Sequence, residues 1–139
     1  MDVQVNYWAV LAAAVSSMVV GMIWYTPGVF GAKWAKLARV DLKKMSTPQP
    51  MPLIVTFILS LITAYVLAHV SFLSNNFFHH SFVQDAVTTA GWLWLGLTAT
   101  RLWVHDLFES RPWQLTMLNA THELVTLLVM GLVIGWMGV

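Results

Sequence analysis

The segment RLWVHDLFESRPWQLTMLNATHE, residues 101–123, lies between two long apolar runs of the chain. It holds five of the chain's seven basic and six acidic side chains, together with two of its five histidines. A group of charges between two apolar helices that cross a membrane raises the free energy of insertion. The segment therefore predicts a membrane-embedded helical hairpin whose charges are paired, lie at the membrane surface, or bind something.

The composition of the whole chain supports this class. Of its 139 residues, 58% are hydrophobic and only 9% are charged, whereas soluble domains carry about 25% charged residues. Such a chain cannot cover a globular surface with polar groups, so we expect an integral membrane protein in contact with the lipid bilayer. A net charge of +1 gives no reason to expect nucleic acid as a partner.

Four segments have the length needed to cross a bilayer, which is about 20 apolar residues. Proline and glycine separate them, as at Pro27-Gly28 and Pro112. The sequence therefore predicts an all-α fold, with residues 1–139 forming a single membrane domain of four transmembrane helices. They cover, in order, residues 6–25, 52–73, 84–108 and 113–136.

The distribution of basic residues predicts the orientation. The first connection carries five of them: Lys33, Lys36, Arg39, Lys43 and Lys44. The second connection, SFLSNNFFHHSFVQ, has no Lys or Arg, and the third has Arg111. Because basic loops stay on the cytoplasmic side, we expect the first and third connections inside and both termini outside the cytoplasm.

Residues 29–44 predict a short amphipathic helix on the inner membrane surface. Phe30, Trp34 and Leu37 recur at helical spacing, with lysines elsewhere around the helix. One interpretation is that this helix binds anionic lipids, and the other is that it only anchors the loop on the cytoplasmic side. Four aromatic residues are expected to act as anchors at the membrane surface: Trp24, Tyr25, Trp34 and Trp113.

Small residues recur four apart on three of the predicted helices, as in Ala9, Ala13, Ser17 and Gly21 of the first and Gly131 and Gly135 of the fourth. Such stripes let helix backbones approach closely in a membrane. They contact either sister helices of the same chain or another subunit, and the sequence leaves both open. A homo-oligomer is the expectation for so thin a bundle.

Residues 109–112, ESRP, predict a tight cytoplasmic turn between the third and fourth helices. Arg101 before the turn, and His122 and Glu123 after it, lie about ten residues away, or roughly 15 Å at 1.5 Å rise per residue. We therefore expect these three side chains at similar depth in the membrane. The charges near the turn are expected at the interface: Asp106, Glu109 and Arg111.

Helical periodicity places polar side chains on two stripes that are expected to face each other. One face of the third helix carries Trp94, Thr98, Arg101 and His105, and on the fourth helix a polar stripe runs from Thr116 to Thr126. This predicts a polar site within the membrane between these two helices. Its five residues are Arg101, His105, Asn119, His122 and Glu123.

Two interpretations of this site stay open. An ion pair between Arg101 and Glu123 would offset much of the cost of about 3 kcal/mol for a charge near the bilayer centre, and would then only fix the helix register. Alternatively, the site binds an ion, a proton or a polar head group. A metal is disfavoured because its weak candidates, His105, Glu109 and His122, lack a recognised ligand spacing.

Three patches of sequence carry a resemblance. They are Asn6-Tyr7-x-Ala9, Trp24-Tyr25-Thr26-Pro27-x-x-Phe30-Gly31-x-x-Trp34, and Leu107-Phe108-Glu109-x-Arg111-Pro112-Trp113 followed by Asn119. Together they resemble the bacterial family called domain of unknown function 1761, over almost the whole chain. The resemblance implies a small four-helix membrane protein of a prokaryote, and it implies no activity.

The resulting hypothesis is a multi-pass protein of the bacterial cytoplasmic (inner) membrane that binds or passes a small ion or polar solute. The alternative is a structural or partner-binding membrane protein whose buried charges only fix helix packing. We expect no enzyme and no cofactor, because no catalytic residue pattern is visible, although His122 beside Glu123 has the chemistry for acid–base catalysis.

Overall fold

The computed structural model describes residues 3–41 and 50–138, and every regular element in these two ranges is helical. In chain order the elements are α1 (Tyr7–Trp24), a first π-helical turn (Pro27–Gly31), α2 (Ala32–Ala38), α3 (Pro50–Phe78), α4 (Phe82–Leu93), a second π-helical turn (Trp94–Ala99), α5 (Thr100–Phe108) and α6 (Trp113–Met137). The helices α1, α3 and α6 are long and apolar enough to cross a membrane. This confirms the predicted all-α class. The structure divides the third predicted span, residues 84–108, into α4, the second π-helical turn and α5.

Side chains that cap helices fix where the long helices begin. The Asn6 side chain accepts hydrogen bonds from the backbone N–H groups of Trp8 and Ala9 at the start of α1. The Ser81 hydroxyl accepts one from the N–H of Gln84 and so begins α4. Pro112 precedes α6, where its missing N–H costs no helical hydrogen bond.

The predicted amphipathic segment 29–44 contains α2, which is 7 residues long. It ends at Ala38, and the following residue, Arg39, has a φ of +58°, the left-handed conformation common just after helices. Residues 42–44 of the predicted segment lie outside the described residues. Lys33 and Lys36 are exposed, whereas Ala35 is buried. The helix therefore has one polar and one packed side.

The long elements form a ring of four antiparallel neighbours. Helix α1 packs against α3 and α6, and α4 packs against the same two helices. The apolar core fills the end of the bundle where α1 begins and α6 ends. Its members are Val10, Ala13, Ala64, Leu67, Ala68, Ala90, Leu127, Met130 and Ile134.

The stripes of small residues contact sister helices of the same chain. Ala9, Ala13 and Ser17 of α1 are all buried. A Cβ atom added to Gly135 would lie 2.6 Å from the Cα atom of Val83 in α4. The glycines of α6 thus allow α4 to approach closely and are in contact with it. Of the two possibilities that the sequence left open, the stripes contact helices of the same chain.

The second π-helical turn shifts the faces of the helix that follows it. A π-helical turn contains one residue more than an α-helical turn, because its hydrogen bonds join residues i and i+5. Regular spacing from Trp94 predicts Arg101 and His105 on the packed face, but both are exposed. The residues that follow Thr98 and His105, which are Ala99 and Asp106, are buried instead. The structure thus corrects the predicted face of the third span by one residue.

Candidate functional site

A cavity of about 580 Å³ lies between α1, α3 and α6, next to the apolar core, with which it shares Leu127 and Met130. On α3 it is lined by Thr56, Ser60 and Thr63, which recur on one helical face. On α6 it is lined by His122 and Glu123, together with Thr126. The predicted site lay between the third and fourth spans, whereas this cavity lies among the first, second and fourth.

Methionine and leucine side chains form the apolar part of the cavity wall, and two of them lie at its opening. Met18, Met22 and Met130 line it, together with Leu53 and Leu127. Methionine is unbranched and adapts to irregular space. Met22 and Leu53 are also largely exposed, at 62% and 51%. The cavity is therefore open on the side where α1 and α3 meet the surroundings.

His122 lies against aromatic rings at the inner wall of this cavity. The centroid of its ring is 4.9 Å from that of Tyr25 and 5.7 Å from that of Trp24. Its Nε2 atom is 3.5 Å from the Thr126 hydroxyl, at the outer limit for a hydrogen bond. Its side chain is only 12% exposed. Burial and ring contacts thus fix the position of the imidazole.

The contact between His122 and Glu123 is close without being a good hydrogen bond. Nδ1 of His122 is 3.4 Å from Oε1 of Glu123, within the range of an ion pair, and the imidazole is charged only if it is protonated. The same Nδ1 atom is buried and has no hydrogen-bond partner. The distance between the two atoms allows an ion pair, but their orientation does not allow a hydrogen bond, so the contact is electrostatic only.

Glu123 is the acidic side chain on the wall of the cavity. Its side chain is 42% exposed. In residues 3–41 and 50–138, no Lys or Arg forms a salt bridge with it. The ion pair with Arg101, one of the two interpretations that the sequence left open, is absent from these residues, because the shifted face of α5 leaves that guanidinium exposed. The carboxylate is therefore available to a ligand.

The remaining residues of the predicted site lie elsewhere. Asn119 accepts a hydrogen bond of 3.0 Å from Nε1 of Trp34, so it attaches α2 to α6. Trp34 also contacts the ring of Tyr25 edge-on at 5.3 Å. His105 is exposed on α5. Of the five predicted residues, the structure brings His122 and Glu123 together at the cavity and separates the other three from it.

The charged side chains near the hairpin turn contact one another. Thr116 donates a buried hydrogen bond of 2.7 Å to Oδ2 of Asp106. Nε of Arg111 lies 3.7 Å from Oδ1 of Asp106 and 2.6 Å from Oε2 of Glu109. Asp106 is only 6% exposed, and its side chain faces α6. This group joins α5 to α6 and has the form of a structural contact.

One buried acid was missed by the sequence analysis. Asp85 at the start of α4 is 1% exposed. It accepts hydrogen bonds from the side chain of Asn75, at 2.8 Å, and from Nδ1 of His80, at 3.0 Å. These contacts join the end of α3 to the start of α4. The only signal in the sequence is an acid in the first helical turn after Ser81, which is common at helix starts.

The described residues hold no metal-binding group of the usual kind. Nowhere in residues 3–41 and 50–138 do three His, Cys, Asp or Glu side chains come together as a metal ion would need. The weak metal-ligand candidates of the sequence have different surroundings: Glu109 pairs with Arg111 at the turn, and His122 faces the cavity.

Comparison with protein families gives one match. The model of a family described as "Protein of unknown function (DUF1761)" matches residues 8–135. The chain belongs to the DUF1761 family. This confirms the resemblance found in the sequence. Comparison with curated proteins and with solved structures gave no match.

The longest DUF1761-like patch of the sequence, residues 24–34, forms the wall that holds His122. Trp24 contacts His122 on one side and Phe30 on the other, with 4.4 Å between the centroids of the Trp24 and Phe30 rings. Gly31 is required by the tight first π-helical turn, since an added Cβ atom would collide with the carbonyl oxygen of Tyr25. The patch that carries the resemblance thus positions one edge of the cavity.

Proposed function

We propose that this DUF1761 chain is a four-span membrane protein that binds a small polar or ionic solute in the cavity between α1, α3 and α6. The observation that carries the proposal is the carboxylate of Glu123 on the cavity wall, where no Lys or Arg of the described residues pairs with it. Ionisable side chains within a membrane are costly and usually serve ligands or ions.

The third span of this proposal, in addition to α1, α3 and α6, is the helical run from Phe82 to Phe108. The two α-helices and the π-helical turn between them follow one another without a gap. At 1.5 Å rise per residue the run is about 40 Å long, which exceeds the roughly 30 Å of a hydrocarbon core. A π-helical turn keeps the backbone hydrogen-bonded, so it is compatible with a lipid environment.

The proposed location is a bacterial cytoplasmic membrane, with both termini outside the cytoplasm. The hydrogen bond from Trp34 to Asn119 holds the basic helix α2 at the end of the bundle that also carries Arg111. Basic residues of both connections thus meet at one end, as the positive-inside rule expects. The cavity opens in the same half of the bundle, because the end of α1 and the start of α3 line it.

A cavity-filling variant tests the binding function. Gly21 lines the cavity, and a Cβ atom there would lie 3.8 Å from Nε2 of His122. Gly21→Leu therefore places a side chain in the cavity. Gly96→Leu is the matched control, because Gly96 is exposed and an added Cβ atom meets nothing within 4 Å. Circular dichroism checks that both variants remain helical.

The assay is thermal unfolding in maltoside micelles with a panel of probes. The panel contains Na⁺, K⁺, an amino acid mixture and benzyl compounds of positive, zero and negative charge. A ligand at 100 times its Kd adds about 2.7 kcal/mol of stability. We expect at least one probe to raise the Tm of the wild type and Gly96→Leu in a saturable way, and not that of Gly21→Leu. An equal response of all three proteins, or no response at all, refutes the proposal.

A second candidate, a purely structural role, is favoured by the group around Asp106. That carboxylate is buried and satisfied by Thr116 and Arg111, which is what a packing function requires. The expected homo-oligomer also stays a proposal, and it has to use surfaces other than the small-residue stripes, because these already contact sister helices. Under the structural candidate, Glu123 would be replaceable without any loss of binding.

A further inference from the structure

We infer that the ligand of the cavity is an amphiphilic organic monocation, a small molecule with an apolar body and one ammonium group. This inference rests on the proposed binding function and adds the chemical class of the solute. The charge comes first. Glu123 is the anionic group on the cavity wall, where it contacts His122 of the same helix, and Tyr25, just after the end of α1, also lines the cavity. An ammonium group would complete an ion pair in surroundings that are poor in water.

Two hydroxyl groups of the wall, those of Ser17 and Thr63, favour a ligand that donates hydrogen bonds. Ser17 donates its proton to the carbonyl oxygen of Ala14 at 2.7 Å. Thr63 donates in the same way to its own helix, at 3.1 Å. A hydroxyl that has given its proton to the backbone keeps only acceptor lone pairs for other partners. These two hydroxyls therefore match the N–H donors or the positive field of an ammonium group better than an anion.

The apolar wall and the size of the cavity exclude a bare inorganic cation as the best ligand. Hard cations in proteins need about six or more oxygen ligands around them, whereas methionine and leucine side chains make up much of this wall. About 580 Å³ is typical of sites for small organic molecules. An ammonium group near Glu123 would also lie near the aromatic ring of Tyr25, where a cation–π contact is available.

The opening of the cavity fits an amphiphile as well. Met22 of α1 and Leu53 of α3 border it and are largely exposed. In the proposed four-span arrangement, that side of the bundle faces lipid. A molecule with an apolar body concentrates in a bilayer and reaches the cavity between these two side chains.

The test compares three probes of the same shape, benzyltrimethylammonium, neopentylbenzene and phenylmethanesulfonate, by isothermal titration calorimetry in maltoside micelles. Binding to Gly21→Leu at the same detergent concentration is subtracted as the blank, which removes partition into micelles. We expect the cation to bind the wild type about tenfold or more tightly than the neutral probe, as a charge-assisted contact allows, and the anion not to bind.

Glu123→Gln should weaken binding of the cation by about tenfold or more, and Glu123→Asp, which keeps the charge, by less. Glu109→Gln is the matched control, because that carboxylate pairs with Arg111 at the turn. The inference is overturned if the cation binds no better than the neutral probe, or if Glu123→Gln binds it as the wild type does. Saturable binding of only the neutral or anionic probe leaves the proposed function standing. If no probe binds above the blank, both fail.

Discussion

Replacing Asp106 tests whether the second π-helical turn sets the face of α5 that packs on α6. The Asp106 carboxylate is 6% exposed and accepts a hydrogen bond of 2.7 Å from the Thr116 hydroxyl, which is 1% exposed. Asp106→Ala leaves that hydroxyl buried without its partner, which costs about 1–3 kcal/mol. The contact with half-exposed Arg111, at 3.7 Å, adds little because solvent screens it. We therefore expect a loss of about 1–3 kcal/mol in the free energy of unfolding.

Arg101→Gln is the matched comparison, since regular helical spacing would make it the packed residue. Arg101 is exposed and forms no salt bridge with any described residue, so its replacement should change stability by less than about 0.5 kcal/mol. The assay is reversible unfolding in mixed micelles of maltoside and dodecyl sulfate, followed by circular dichroism. A double-mutant cycle with Thr116→Val should give a coupling energy of about 0.5–3 kcal/mol with Asp106. A larger loss for Arg101→Gln than for Asp106→Ala refutes the shifted face.

Two further predictions concern close packing and the attachment of α2. Gly135→Ala should destabilise the bundle by about 1–3 kcal/mol, because the new Cβ atom would lie 2.6 Å from the backbone of α4. In the control Gly91→Ala the new Cβ atom meets nothing within 4 Å, so this variant should not destabilise the bundle. The same unfolding assay measures both variants. Trp34→Phe removes the donor to Asn119 and should expose the basic helix to trypsin, with faster cleavage at Lys33 and Lys36 than in the control Trp92→Phe, where the indole is 73% exposed. Equal cleavage of the two variants would contradict the docking of α2.

The parts of the fold that depend on local composition were predictable. Apolar length and proline breaks locate the helices, and small residues four apart locate close helix contacts, because both signals lie within single helices. On α6, a regular helix, the wheel placed His122, Glu123 and Thr126 together, and the structure has them on one cavity wall. The whole cavity was not predictable, because the hydroxyl side chains of α3 line it only as a result of the packing of α3 beside α1 and α6.

The predicted packed face of the third span was wrong, for a different physical reason. Nothing in the segment WLGLTA, residues 94–99, marks a π-helical turn, because any of these residues is compatible with an α-helix. A single inserted residue changes every helical face beyond it by about 100°. Arg101 and His105 were therefore assigned to the face that Asp106 occupies. The hidden acid Asp85 escaped notice because its partners Asn75 and His80 belong to a connection whose path the sequence does not determine.

Two other carboxylates of this chain have the contacts expected of a packing role, and Glu123 differs from both. Asp106 is buried, accepts the proton of a neighbouring hydroxyl and has a guanidinium close by. Asp85 is likewise buried and accepts two hydrogen bonds. Glu123 has neither arrangement: its side chain is 42% exposed at the cavity, and its one close partner is an imidazole that is charged only when protonated. A packing role would not account for this difference, because an incompletely paired carboxylate in a membrane costs about 2.5–3.5 kcal/mol. A ligand that supplies the missing positive charge does account for it.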